Sequence, residues 1–323
     1  MGEIPFPGWD PVFLHLFGPI DLRYYGLMYV VAFVIGNMLL VRLARARMLP
    51  IPPEKVGDLI FSLILGVILG GRLGYCLFYK PELLLTIEVF KLWEGGLAFH
   101  GGFLGVVVAL IIYGLRNGVP NWRLADCLAL ATCPGIFAVR CANFINGELY
   151  GRVISEDEAD SVPWAMRFPS DPAAQRELMI SGATAREREL DLLRKLEDGT
   201  WDRVKDQVPL RHPSQVYEAI AEGLILGLVL LVVYRVTRKR PLGNGVYAGI
   251  FVAGYGFMRF FIEYYRQPDD HFTKDKQGLG TVLWGFSMGQ VLCFIMIVVG
   301  SAMILGRWKY RVPIPGEDGT TDE

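Results

Sequence analysis

Two arginine-centred runs hold the side chains best suited to chemistry. The first, RCANFINGELYGR, carries Arg140, Asn143, Asn146, Glu148, Gly151 and Arg152 within thirteen residues. Arg140 and Asn143 stand three apart and share a helical face, and Asn146-Gly147 is a turn signal that ends the helix. The second, YGFMRFFIEYYRQPD, places Tyr255, Arg259 and Glu263 at intervals of four, again on one face. His100, in GGLAFHGGFLG, adds a side chain that changes charge near neutrality. Tyr25 belongs to the same set by position. Arginine grips an anion through two parallel hydrogen bonds, so the combination reads as anion handling coupled to proton transfer. Metal chemistry is not indicated. The four histidines, His15, His100, His212 and His271, are scattered, and no HExxH or carboxylate-rich pair pattern appears.

These groups sit in or beside apolar runs, which defines what must position them. Of 323 residues, 52% are hydrophobic and 20% charged, with a net charge of −1 and a mean hydropathy of +0.35. That is too apolar for soluble domains and too aromatic for a disordered chain. The balance of 32 basic and 33 acidic residues argues against nucleic-acid binding. Five cysteines, an odd number, all in or beside apolar runs, read as small buried hydrophobes rather than a disulfide framework. The expectation is an all-α polytopic membrane protein. Seven apolar runs suit spanning helices: about 24–41, 57–79, 95–115, 122–142, 214–234, 243–263 and 281–305. They do not alternate with period two, so a barrel fits poorly. The opening MGEIPFPGWD lacks a basic n-region, so the first helix is expected to insert as its own signal-anchor.

The charged residues concentrate in one segment, 146–213, which holds 24 of the 65 Asp, Glu, Lys and Arg. Its ARERELDLLRKLEDG run reads as an exposed amphipathic helix with a solvated charged face. The organisation is therefore spans one to four in 1–145, an extracytoplasmic head at 146–213, spans five to seven in 214–306, and a cytoplasmic tail at 307–323, read as disordered. Basic residues in the short loops, among them Arg42, Arg45, Arg47, Arg123, Arg235 and Arg238, orient the C-terminus to the cytoplasm and the N-terminus outside. His100, Arg140, Arg259, Glu263 and Tyr25 then share the outer half of the bilayer, where the obvious anion is a phospholipid phosphate. Arg72 and Asp126 are further charges within spans; Arg72 is a candidate to snorkel and Asp126 to cap or pair near the cytoplasmic side. Ser214, in RHPSQ, reads as a helix N-cap, with Gln215 and Glu218 as candidates for proximity to the site. A transporter with a charge relay is the competing class, but the charges gather at one depth and no inverted repeat is visible. Another phospholipid enzyme, such as an acyl- or phosphotransferase, is a third.

Six stretches, in order, resemble the bacterial prolipoprotein diacylglyceryl transferase family: RYYGLMY, GGRLGY, the HGG of His100, RCANFINGELYG, RHPSQVYE and YGFMRFFIEYYRQPD. The resemblance runs from about Asp21 to the last helix. It departs in a longer charged segment at about 152–210 and in the acidic tail, neither touching the motifs. The resemblance implies a seven-helix protein of the bacterial inner membrane with a periplasmic head. It implies transfer of the diacylglyceryl group of phosphatidylglycerol to the lipobox cysteine of a preprolipoprotein signal peptide, with a thioether formed, glycerol 1-phosphate released and no cofactor. It also implies functional roles for Tyr25, His100, Arg140, Asn143, Asn146, Glu148, Gly151, Tyr255, Arg259 and Glu263. The expected parts are Arg140 and Arg259 stabilising the leaving phosphate and His100 as base or orienter. Tyr255 would position the phosphate or relay a proton, Glu263 would orient Arg259, and Asn143 and Asn146 would hold headgroup or phosphate oxygens.

Overall fold

The computed structural model describes residues 4–17, 20–91, 96–239, 242–267, 281–283 and 285–308. The acidic tail and His271 lie outside them. The described chain is mostly helical. A hairpin of β1 (Val12–Phe17) and β2 (Ile20–Arg23) leads into α1 (Tyr24–Arg45). There follow α2 (Val56–Tyr79), α3 (Phe99–Asn117), α4 (Asn121–Ile145) and the amphipathic α5 (Ala185–Glu197), with short helical turns between. Then come α6 (Ser214–Thr237), α7 (Val246–Ile262) and α8 (Met288–Arg307). Apart from α5, six of these helices are long and apolar enough to cross a membrane; α7, at 17 residues, is apolar but shorter. Large apolar side chains face outward along them, as Phe61, Leu69, Leu73 and Leu77 do on α2 and Phe294, Ile295, Val298 and Val299 on α8. Such surfaces suit lipid, not water, and the protein is a multi-pass membrane protein.

One boundary differs from the apolar count. The last run was expected to become helical at 281, but Thr281–Leu283 pairs with Phe286–Ser287 as a small hairpin and α8 starts at Met288. The cause is a reciprocal cap: Gln290 N–H donates to Ser287 Oγ at 3.1 Å, and Ser287 N–H donates to Gln290 Oε1 at 3.0 Å.

The chain forms two compact units. The first comprises residues up to Val34, Cys133–Leu230 and Phe251–Ser301; the second comprises Ile35–Thr132, Leu231–Ile250 and the residues from Ala302. In the second, α2 and α3 meet along glycines. A Cβ on Gly105 would lie 1.9 Å from the Gly66 carbonyl oxygen, and one on Gly101 would lie 2.3 Å from that of Gly70. Helix backbones approach this closely only where side chains are missing. Gly105→Leu is expected to cost about 3 kcal/mol, the upper end for overpacking, read as a lower melting temperature of the detergent-purified protein. Gly36→Ala on α1, with nothing within 4 Å of the new Cβ, should melt like the parent. An unchanged melt for Gly105→Leu would remove this account of the helix pair.

Two charges read from the sequence have structural work in this unit. Asp126 is fully buried and accepts from the amides of Gly245 (2.7 Å) and Ala248 (2.9 Å), capping the start of α7. Arg72 donates to the carbonyls of Val89 (2.8 Å) and Glu88 (2.6 Å), so it ties a loop to α2 rather than snorkelling.

The first unit holds the charged segment. Thr184 and Glu187 form a capping box at the start of α5. The helix is amphipathic as expected, but its charged face is not wholly solvated. Arg23 on β2 makes a bidentate pair with Glu189 (2.8 and 2.6 Å), and Arg186 pairs with Asp21. Leu192, Leu193 and Leu196, on the same side of the helix as Glu189, line a cavity of about 230 Å³ with Trp9 and Asn146. Asp191 is its anchor: the Ser181 amide (3.0 Å) and Lys195 (3.1 Å) hold the carboxyl down to about 2. A folded value below the unfolded one near 3.9 stabilises the head above about pH 4, a contribution lost as pH falls through about 2. Asp191→Asn should therefore melt below wild type at neutral pH, and the two curves should converge as the pH is lowered from 4 to 2. A constant gap across that range would remove this role.

Candidate active site

The two arginine runs meet within the first unit, at the C-terminal part of α4, the first turns of α6 and the last turns of α7. Glu218 is the joint between them. Its side chain is 1% exposed; Oε2 lies 2.7 Å from Arg140 Nε, and Oε1 accepts from Arg259 Nη1. Arg266 approaches the same oxygen at 3.6 Å. Two further buried carboxylates surround Arg259: Glu222 at 3.7 Å and Glu263 at 3.3 Å. Glu263 also accepts from Ser287 Oγ at 3.2 Å, which fixes the carboxyl that α7 presents four residues beyond Arg259. Three guanidiniums thus face three carboxylates with little water to screen them, and charge pairs in such a place are strongly felt.

On the α4 side the signature forms a chain. Arg140 Nη1 donates to Asn143 Oδ1 at 3.3 Å, and Asn143 Nδ2 donates to Glu148 Oε1 at 2.8 Å. Asn146 Nδ2 reaches the same oxygen at 3.3 Å. The turn needs Gly147, at φ +64°. Gly151 has a backbone reason to be glycine: a Cβ there would lie 2.3 Å from the Tyr265 carbonyl oxygen, and its own amide donates to His212 O at 2.7 Å.

The RHPSQ run ties α6 to this loop. Pro213 precedes the helix and Ser214 is its first residue, so Ser214 is not an N-cap; its hydroxyl donates to Leu149 O at 2.9 Å. Gln215 Nε2 donates to Glu148 O at 2.8 Å. The residues after Glu218, Ala219–Ile225, wind as a π-helix, a form that concentrates at functional sites. A Cβ on Gly223 would lie 2.8 Å from the backbone of Phe137, so the widened turn lies against α4.

The structure therefore joins Arg140, Asn143, Asn146, Glu148, Arg259 and Glu263. Tyr255 lies on α7, in electrostatic range of Glu222 and Arg259. Tyr25 faces Tyr29, with 3.4 Å between hydroxyls, and lies in electrostatic range of Glu148 and Arg140. His100 is exposed in the first turn of α3 and belongs to the second unit. Glu222 and the bridging role of Glu218 are additions that the sequence reading does not contain. The signal was present: Glu218 and Glu222 are acidic residues four apart at the start of an apolar run, and acidic residues in a span point to function by default. Arg266 was missed because it follows the apolar run and looks like an ordinary flanking charge.

The arrangement can bind an anion at fixed guanidiniums and stabilise charge that develops on it. Comparison with known proteins agrees. Residues 11–306 match the family described as prolipoprotein diacylglyceryl transferase. A phosphatidylglycerol–prolipoprotein diacylglyceryl transferase of Ralstonia pickettii is 41% identical over 320 residues, covering 96% of this chain and 97% of the relative. Enzymes of the same name from Ruegeria pomeroyi (40% over 317 residues; 93% and 96%) and Erwinia tasmaniensis (38% over 314 residues; 96% and 95%) are similar over comparable spans. A match across nearly the whole chain places the protein in a family: it belongs to the prolipoprotein diacylglyceryl transferases.

Proposed function

We propose that this chain transfers the diacylglyceryl group of phosphatidylglycerol to the lipobox cysteine of a preprolipoprotein. The thiol sulfur attacks the glycerol carbon that carries the phosphodiester. A C–S bond forms, the C–O bond to phosphate breaks, and glycerol 1-phosphate departs with the electron pair. The observation that carries this reading is the Arg140–Glu218–Arg259 bridge. Glu218 takes Nε of Arg140, while a terminal nitrogen makes only the 3.3 Å bond to Asn143 among the described residues. A guanidinium clamped on one edge presents its other edge to a phosphate. Arg140 and Arg259 are assigned to the charge growing on the departing phosphate, with Asn143, Asn146, Glu148 and Gly151 shaping the headgroup site. Glu263 orients Arg259, Tyr255 and Tyr25 position the phosphate, and His100 receives the thiol proton or orients the thiol. A free thiol near pKa 8.5 is only a few per cent ionised at neutral pH, so a proton acceptor accelerates the attack.

The reading places the protein in the bacterial inner membrane with the N-terminus and the 146–213 head in the periplasm and the C-terminus in the cytoplasm. Lipid and signal peptide then meet at the outer leaflet. The test is direct: purified protein in detergent with phosphatidylglycerol and a lipobox peptide, followed by mass spectrometry. A diacylglyceryl mass gain on the cysteine, absent from a Cys→Ser peptide, is the expected result. Intact lipid and unmodified peptide after prolonged incubation would overturn the assignment.

A further inference from the structure

We propose that Glu222 is a proton-linked positioning residue: it braces Arg259 before lipid binds, and it takes up one proton from water when the phosphate of phosphatidylglycerol reaches that arginine. The proposal rests on the assignment of Arg259 to the lipid phosphate. Glu222 is fully buried in the π-helical turn Ala219–Ile225. Neither of its carboxylate oxygens has a hydrogen-bond partner of ordinary length and angle among the described residues. The other two carboxylates of the cluster are better held. Glu218 Oε1 accepts from Arg259 Nη1, and Glu263 Oε1 accepts from the Ser287 hydroxyl. The ion pair of Glu222 with Arg259 Nη1 is the longest of the three, at 3.7 Å, and that nitrogen already donates to Glu218. A buried carboxylate without hydrogen bonds is costly to keep charged, so the charge on Glu222 depends on the groups around it. Those are Arg259 and Tyr255 on α7, Arg140 on α4 and Glu218 one turn earlier on α6, with Cys293 on α8 in the same electrostatic range.

Arg140, Arg259 and Arg266 balance Glu218, Glu222 and Glu263. A phosphodiester entering this cluster brings an unbalanced negative charge to a place that water screens poorly. An anion beside a carboxylate disfavours the charge of the carboxylate, and the least supported one gives way. A proton on Glu222 restores neutrality and removes one competitor for Arg259 Nη1. Glu218 and Glu263 stay charged and keep the guanidinium aimed. The only bond made is the O–H bond of Glu222. The proton comes from water as lipid binds and returns to water after glycerol 1-phosphate leaves.

The test is equilibrium binding without peptide, so neither the thiol nor the transfer step enters. The full chain in a neutral detergent is titrated with dioleoyl phosphatidylglycerol from about pH 8 to about pH 6, with melting temperature as the readout. Lipid that binds the protonated form must bind more tightly as pH falls. The dissociation constant of the parent is expected to drop by up to about tenfold per pH unit, the limit for one linked proton. In Glu222→Gln, a neutral side chain of the same shape, the constant should stay flat with pH and close to the parent's acid value. Glu222→Asp keeps a titratable group and should restore the slope, and Glu263→Gln should retain it. A parent whose affinity ignores pH would overturn the proposal without any variant. So would a Glu222→Gln protein that keeps the parent's slope. Both results leave the transferase reading standing, since peptide modification tests it separately; failure to bind the lipid at any pH would overturn both.

Discussion

Arg140→Ala and Arg259→Ala should each slow peptide modification about a thousandfold at saturating phosphatidylglycerol and peptide. Removing one preorganised donor to a developing oxyanion costs about 2.7–4 kcal/mol in a dry site, and each arginine offers more than one donor. The two effects should not add. Both guanidiniums are held by Glu218, so loss of either disturbs the other, and residues that act as a unit give double variants little worse than single ones. Lysine is an informative control. It keeps the charge but not the fork, so Arg140→Lys and Arg259→Lys should recover only part of the loss. Initial rates by mass spectrometry decide the matter. Single alanine variants within tenfold of wild type would remove the phosphate-stabilising role from this cluster.

Much of this was legible in the residues, and the reasons for the exceptions are physical. Continuous apolar runs of about 20 residues have few fates, so the spanning helices appear where their composition requires. The start of α8 moved because a Ser287–Gln290 capping box is a local hydrogen-bond preference that an apolar count does not register. Arg140, Asn143 and Asn146 were readable because a basic and amide-rich helix end at a membrane boundary is expensive to keep without use. Pro213-Ser214 looks like the start of a capped helix, whereas the Ser214 hydroxyl is used in a contact 65 residues away in sequence, at Leu149. No local rule contains such a contact. The charged face of α5 looks solvated in sequence for a similar reason, since the partners of Glu189 and Arg186, Arg23 and Asp21, both lie in β2. The convergence on Glu218 is likewise tertiary. Its residue type and depth marked it as unusual, but only the fold shows that one carboxylate serves arginines from two helices.

Glu218→Gln is the second decisive substitution, because it separates positioning from binding. The carboxylate contacts three guanidiniums and has almost no access to water. Removing one partner of a buried ion pair costs about 3–5 kcal/mol. Glu222 and Glu263 remain beside Arg259, so the loss should fall at the lower end and leave a folded protein with a clearly reduced melting temperature. The kinetic consequence differs from that of losing an arginine. With Glu218 neutral, the site gains positive charge and the lipid anion loses a competitor for the guanidiniums. KM for phosphatidylglycerol should therefore hold or fall, while kcat drops about a hundredfold, the order of one lost transition-state interaction, as Arg140 loses the contact that fixes its Nε edge. Added sulfate should restore part of the melting temperature by supplying the missing negative charge. Glu218→Asp, which keeps the charge on a shorter arm, should recover stability more than rate. If KM instead rises in step with an unchanged kcat, Glu218 is a lipid-binding group and not the brace between Arg140 and Arg259. The brace matters because a thioether-forming displacement at saturated carbon gains nothing from holding its ground state tightly. Only donors already aimed at the leaving phosphate lower the barrier, and in this fold the aim of both arginines is set by one buried carboxylate.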